Sequence, residues 1–163
     1  MSAKQAKEYK PAPGLQVLEW LNTAGPIALE DLRGQVVVLH AFQMLCPGCV
    51  LHGLPQAQRI HELFSQDEVA VIGLHTVFEH HEAMTPAALK AFVHEFRLSF
   101  PIGIDKPGTN SPIPETMQAY GMRGTPTLVL IDRRGNIRKH SFGQEDDLKI
   151  GADIASLLCE HAA

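Results

Sequence analysis

Cys46-Pro47-Gly48-Cys49, reached through the apolar run Val36-Val37-Val38-Leu39-His40-Ala41-Phe42, is the stretch on which the fold turns. The run reads as a buried strand, and the segment after it, through Phe64, as a helix. Two thiols one helical turn apart at the head of a helix can form a reversible disulfide, so the pair points to redox chemistry. Cys46 falls at the N-cap. There its thiolate can accept the N–H groups of Gly48 and Cys49 and meet the positive end of the helix dipole. Such a setting lowers a thiol pKa from about 8.5 into roughly the 3.5–7.5 range. Pro47 suits the first helical position, because the N–H it lacks has no intrahelical partner there.

Outward from this centre, residues 1–13 read as a flexible polar arm and residues 14–163 as one domain. Short strands are expected near 15–20 and 27–29, then a strand at 36–42, a helix at 47–64, a strand at 69–74 and a helix at 86–96. A strand near 100–104, a short helix near 114–120, strands at 127–132 and 137–142 and a helix from about 146 to 160 follow. The order predicts an α/β fold, a central mixed β-sheet with helices on both faces. The crossover from 36–42 to 69–74 makes those strands parallel, so their C-terminal ends share one sheet edge. An antiparallel strand beginning at residue 127 brings Gly124-Thr125-Pro126 to that edge, beside Cys46 and the loop 75–84.

Charge and composition exclude several classes. A net charge of −4 leaves no footprint for nucleic acid or an anionic membrane. Arg133, Arg134, Arg138 and Lys139 cluster around Gly135-Asn136 and read as the solvated faces of a hairpin. Residues 1–10 hold no apolar signal core, and nothing in the chain is long enough to span a bilayer. Three cysteines, two of them in one CxxC, suit a reducing compartment, so a cytoplasmic location is expected; a removed signal or tether would make it periplasmic. Dinucleotide and P-loop patterns are absent, so no bound cofactor is expected. Reducing power then comes from an electron-donating thiol or reductase.

With a CxxC at the head of a helix and a later Gly-Thr-Pro before a hairpin strand, the chain resembles the thioredoxin superfamily. Within it, Trp20-Leu21-Asn22 through Ile27, Leu29, Leu32-Arg33-Gly34 and Val36-Val37-Val38 resemble the N-terminal β-hairpin of the redoxin/TlpA-like branch. The resemblance implies a thioredoxin-like fold with that hairpin as an extension, and a thiol-disulfide oxidoreductase acting on protein or small-molecule disulfides. It also implies that Pro126 is a cis-proline facing the disulfide, and that the backbone of Thr125 receives an extended substrate chain. Two departures stand out. Leu45 replaces the usual aromatic before the first cysteine. Pro55 lies six residues after Cys49 where the branch places its kink proline at five, so a local bulge at Gly53 is expected to absorb the extra residue.

The resemblance makes Cys46 the nucleophile and Cys49 the resolving thiol. His40 and His52 stand where relatives carry the acidic group that deprotonates the second cysteine, and an imidazole with a pKa near 6.5 can take that role. Gly124, Thr125, Pro126 and Phe78 are the expected substrate-contacting residues; Phe78 could instead fold back onto the core. Cys159 is expected to pack as a small hydrophobe on the last helix. His75, His80 and His81 are expected to be solvated in the loop at the site edge, with metal binding as the alternative. His61-Glu62, His81-Glu82 and His94-Glu95 lack the second histidine of HExxH, and no second CxxC completes a zinc site. Three other readings stay open: a peroxidase acting through Cys46, although the Pro and Thr or Ser that precede a peroxidatic cysteine are missing, a non-catalytic binding module, and a metal-handling one.

Overall fold

The structure, a computed structural model, describes residues 7–160. Six strands form one sheet: β1 (Val17–Leu21), β2 (Val36–Phe42), β3 (Val69–His75), β4 (Ile102–Asp105), β5 (Thr127–Ile131) and β6 (Ile137–Phe142). They lie in the order β1-β4-β3-β2-β5-β6. β2, β3 and β4 are parallel, while β1 and β5 run antiparallel to β4 and β2, and β6 antiparallel to β5. The sheet is therefore mixed, as the sequence order predicts.

Among the described residues the α-helices are α1 (Leu54–Leu63), α2 (Pro86–Glu95), α3 (Glu115–Ala119) and α4 (Asp147–Cys159). Strand alternation divides the core into two layers. Val36, Val38 and Phe42 of β2 meet Leu54, Ala57 and Ile60 of α1, Leu89 and Phe92 of α2, and Ile150, Ile154 and Leu157 of α4. Val37, Leu39 and Ala41 face the other way, toward Leu29, Met117, Tyr120 and Met122. All seven residues of β2 are buried because both faces are covered.

Three expectations need correction. The second limb of the N-terminal hairpin is a 3-10 turn, Leu29–Leu32, and β1 instead pairs with β4. Gly25-Pro26 interrupts the run, and the turn still sends Leu29 into the core. The end of the expected flexible arm is tied down: Ile137 N–H donates to Lys10 C=O, Ala12 N–H to Gly135 C=O, and Tyr120 Oη to Pro13 C=O. The Arg138 guanidinium sits 3.9 Å from the Tyr9 ring centroid. Finally, Arg138 and Lys139 are not solvated. Arg138 pairs with Asp132 and Glu160, and Lys139 with Glu145 and Asp153, so these cations clamp β6 to α4.

Candidate active site

Residues 47–63 form one helix, with a π-helical segment, Cys49–Gly53, ahead of α1. This is the bulge expected from the late Pro55. A π turn inserts one residue, and a proline just beyond it removes an N–H that the widened turn leaves poorly placed. Gly53 is required by close packing, since a Cβ there would lie 2.5 Å from both Cε1 and Nε2 of His40 and 3.3 Å from Cβ of Pro126.

At the head of this helix Cys46 is half-buried and Cys49 fully buried, both as free thiols. Their sulfurs are 2.7 Å apart, with Cys49 Sγ donating to Cys46 Sγ. Cys46 Sγ also accepts the Cys49 N–H at 3.3 Å and approaches Thr125 C=O at 3.6 Å. Of the two amides expected at Cys46 Sγ, that of Cys49 makes this bond. Burial, reinforced by its bond to Cys46, pushes the Cys49 thiol up to about 12. The pair is thus asymmetric, one sulfur facing outward and the other buried and holding its proton.

The Thr125–Pro126 peptide is cis, as the resemblance implies. Pro126 packs over the start of the helix, its Cδ 3.4 Å from where a Cβ on Gly48 would stand. Beside Cys46 opens a groove of about 420 Å³. Its walls include Leu45, Phe78, Met84, Gly124, Thr125 and Phe142. Phe78 packs against the core, one of the two places expected for it, and its side chain also lines the groove. Leu45 and Phe142 stand 54% and 50% exposed, so the groove carries an apolar rim. Gly124 makes room for that rim, because a Cβ there would come within 2.9 Å of the Phe142 ring.

His40 is buried, with Nε2 unpartnered and its pKa lowered by desolvation to about 4. It lies against Gly53, at the far end of the π segment that Cys49 begins, and makes no hydrogen bond to either thiol. His52 is exposed and shares a small cleft with His40, Gly53, Gln56 and Pro126. The structure therefore gathers Cys46, Cys49, Gly124, Thr125, Pro126 and Phe78, and sets the two histidines apart in a second cleft, His40 buried and His52 exposed.

Two expectations about other residues fail. Cys159 is exposed, because the buried stripe of α4 is set by Ile150, Ile154 and Leu157 and position 159 falls on the opposite side. His75 is not solvated: it ends β3, is buried, and its Nε2 accepts the Met44 N–H at 3.2 Å. His80 and His81 are exposed. Gln43, which the sequence pattern did not single out, is also buried; its Oε1 accepts the Phe78 N–H and its Nε2 donates to Glu79. The readable signal for both residues was position, His75 being a polar residue at the C-terminal end of buried β3 and Gln43 one just past the end of buried β2, both on the site edge. Among the described residues no group of three or more His, Cys, Asp or Glu could hold a metal ion. No helix among them is long and apolar enough to cross a membrane.

The AhpC/TSA family model matches residues 9–140. The chain belongs to that family. A solved thioredoxin-like superfamily protein is 58% identical, with a TM-score of 0.92 over 94% of this chain and 99% of its own. A solved thiol-disulfide isomerase from Corynebacterium glutamicum is 53% identical, with a TM-score of 0.88 over 92% of this chain and 98% of its own. NHL repeat-containing protein 2 of Gallus gallus is 34% identical over 122 residues, which cover 74% of this chain and 16% of that protein. The chain thus spans under a fifth of the NHL repeat-containing proteins it matches. The thioredoxin-like fold and the redoxin affinity expected from the sequence are those of the family.

Proposed function

We propose that this AhpC/TSA-family chain is a thiol-disulfide oxidoreductase, with residues 14–163 as its working unit. The observation that carries the reading is the asymmetry of the pair, Cys46 on a groove and, 2.7 Å from it, a buried Cys49 whose pKa burial pushes up. In the reductive direction the Cys46 thiolate attacks one sulfur of a substrate disulfide, forming a mixed disulfide and releasing the other sulfur as a thiolate. Cys49 then loses its proton and attacks Cys46 Sγ. The second substrate sulfur leaves as a thiolate, which takes up a proton, and the protein is left with a Cys46–Cys49 disulfide. Two electrons have passed to the substrate, and an external thiol or reductase restores the dithiol. The pair runs in either direction, and the potential decides which.

His40 is the favoured base for Cys49. Burial holds its pKa near 4, so at neutral pH its unpartnered Nε2 is free to accept a proton, and the ring lies against Gly53 in the helix that Cys49 enters. His52 belongs to the same cleft and would exchange that proton with solvent. Gly124, Thr125, Pro126 and Phe78 form the substrate-contacting wall, and a reducing, cytoplasmic setting belongs to this reading.

The test is equilibration with glutathione and dithiothreitol buffers, followed by turnover with a disulfide substrate. Wild type should cycle between dithiol and disulfide, Cys46→Ser should not exchange, and Cys49→Ala should accumulate a mixed disulfide at Cys46. Turnover of hydroperoxide without disulfide exchange would favour the peroxidase reading instead. The absence of both activities would leave a binding module.

A further inference from the structure

The segment leading into Cys46 and the segment carrying Phe78 are joined by four hydrogen bonds. Thr76 N–H donates to Phe42 C=O at 3.0 Å, Met44 N–H to His75 Nε2 at 3.2 Å, Phe78 N–H to Gln43 Oε1 at 3.2 Å, and Gln43 Nε2 to Glu79 Oε1 at 3.3 Å. Residues 43–46 form a turn closed by the Cys46 N–H on Gln43 C=O at 3.0 Å. In such a turn the amide of the second residue, here Met44, has no partner inside the turn and must find one elsewhere.

We propose that His75 is a positioning residue: by accepting the Met44 N–H it fixes the turn that presents Cys46 Sγ and binds that turn to the groove wall carrying Phe78. His75 suits the task because it is immobile. Its backbone pairs with Phe42 of β2 and Ile104 of β4, its ring lies 5.1 Å from that of Phe42, and the next residue, Thr76, is anchored through its hydroxyl to buried Asp105. Burial holds its pKa near 4, so at neutral pH Nε2 keeps the lone pair the amide needs. Gln43, the first residue of the turn, completes the connection through its bonds to Phe78 and Glu79. The nucleophile and the apolar wall of the groove are then one rigid piece, and a substrate seated on Phe78 is already in register with Cys46.

The proposal rests on Cys46 being the reactive thiol, and the experiment separates the two. In a Cys159→Ser background, His75→Leu removes the acceptor at similar volume, whereas His75→Gln offers an amide oxygen near the place of Nε2. The rate of Cys46 alkylation by iodoacetamide is followed against pH by mass spectrometry, alongside the dithiol/disulfide potential and thermal melting. His75→Leu should change the Cys46 alkylation rate at pH 7 at least about fivefold and displace its pH profile. His75→Gln should restore both to within about twofold. A wild-type Cys46 profile in His75→Leu overturns the proposal. So does an equal loss in both variants, which would mark His75 as a packing residue only. Alkylation needs no substrate, so a wild type that fails to turn over disulfides defeats the functional reading and leaves the positioning test intact.

Discussion

A methyl group at position 53 would collide with the His40 imidazole, and the collision ties the backbone of the active-site helix to one buried side chain. Gly53→Ala should therefore lower stability by about 1–3 kcal/mol, the usual cost of overpacking, read as a lower urea midpoint at unchanged slope. The same imidazole makes stability depend on pH. Its folded pKa, near 4, lies below its unfolded value of 6.5, so between those values the unfolded chain binds more protons than the native one. Stability then rises with pH across the window and is lost as pH falls from 6.5 toward 4, by about 3 kcal/mol for a full shift of this size. His40→Leu should lose correspondingly less than wild type between pH 7 and pH 4 in urea titrations. The slope should shrink without vanishing, because His75 contributes with the same sign and remains. Identical pH dependence in the two proteins would show that His40 is not the group that titrates. None of this was readable at the residue level. The sequence put a histidine on a buried strand, but whether its nitrogens find partners depends on the atoms of Gly53 and Pro126, which are distant along the chain.

Elements were more legible than their contacts, because periodicity and caps are local. Asp146 accepts the N–H groups of Leu148 and Lys149 and starts α4, as the acidic run Glu145-Asp146-Asp147 suggests. Asp146→Ala should cost about 1 kcal/mol, measured by urea unfolding, since it leaves two helix-end amides without their side-chain acceptor. The π segment was legible too, through a simple count of residues from Cys49 to Pro55. The second limb of the expected hairpin was not, since Ile27, Leu29 and Leu32 satisfy the same burial demand from a 3-10 turn as from a strand. Cys159 failed for a related reason. Its place near the end of an apolar helix says little about its face until the contacts of Ile154 and Leu157 fix the rotation of α4.

At the scale of the whole molecule, sheet order assembles the site. The parallel pair β2 and β3 ends on one edge with Phe42 opposite His75, and antiparallel β5 starts there, so Cys46, the 76–84 loop and the cis Thr125–Pro126 peptide meet although they are spread over eighty residues. That meeting was foreseeable from strand order, whereas the latch among Gln43, His75 and Glu79 was not, because it depends on side-chain reach across two loops. The groove gives the arrangement a measurable consequence. A small disulfide needs only Cys46, but a protein substrate docked in the proposed groove would also cover its apolar rim of Leu45, Phe78 and Phe142. Phe78 is already partly buried against the core, so a docked chain removes only part of its surface from water, worth about 1.4 kcal/mol or a factor of ten. Phe78→Ala should accordingly lower kcat/KM about tenfold for a protein disulfide, mainly through KM, while exchange with a small dialkyl disulfide stays within about twofold of wild type. Thermal melting of the variant guards against a general loss of structure. Equal losses on both substrates would place Phe78 in support of Cys46 rather than in contact with substrate, and no loss on either would remove the groove from recognition.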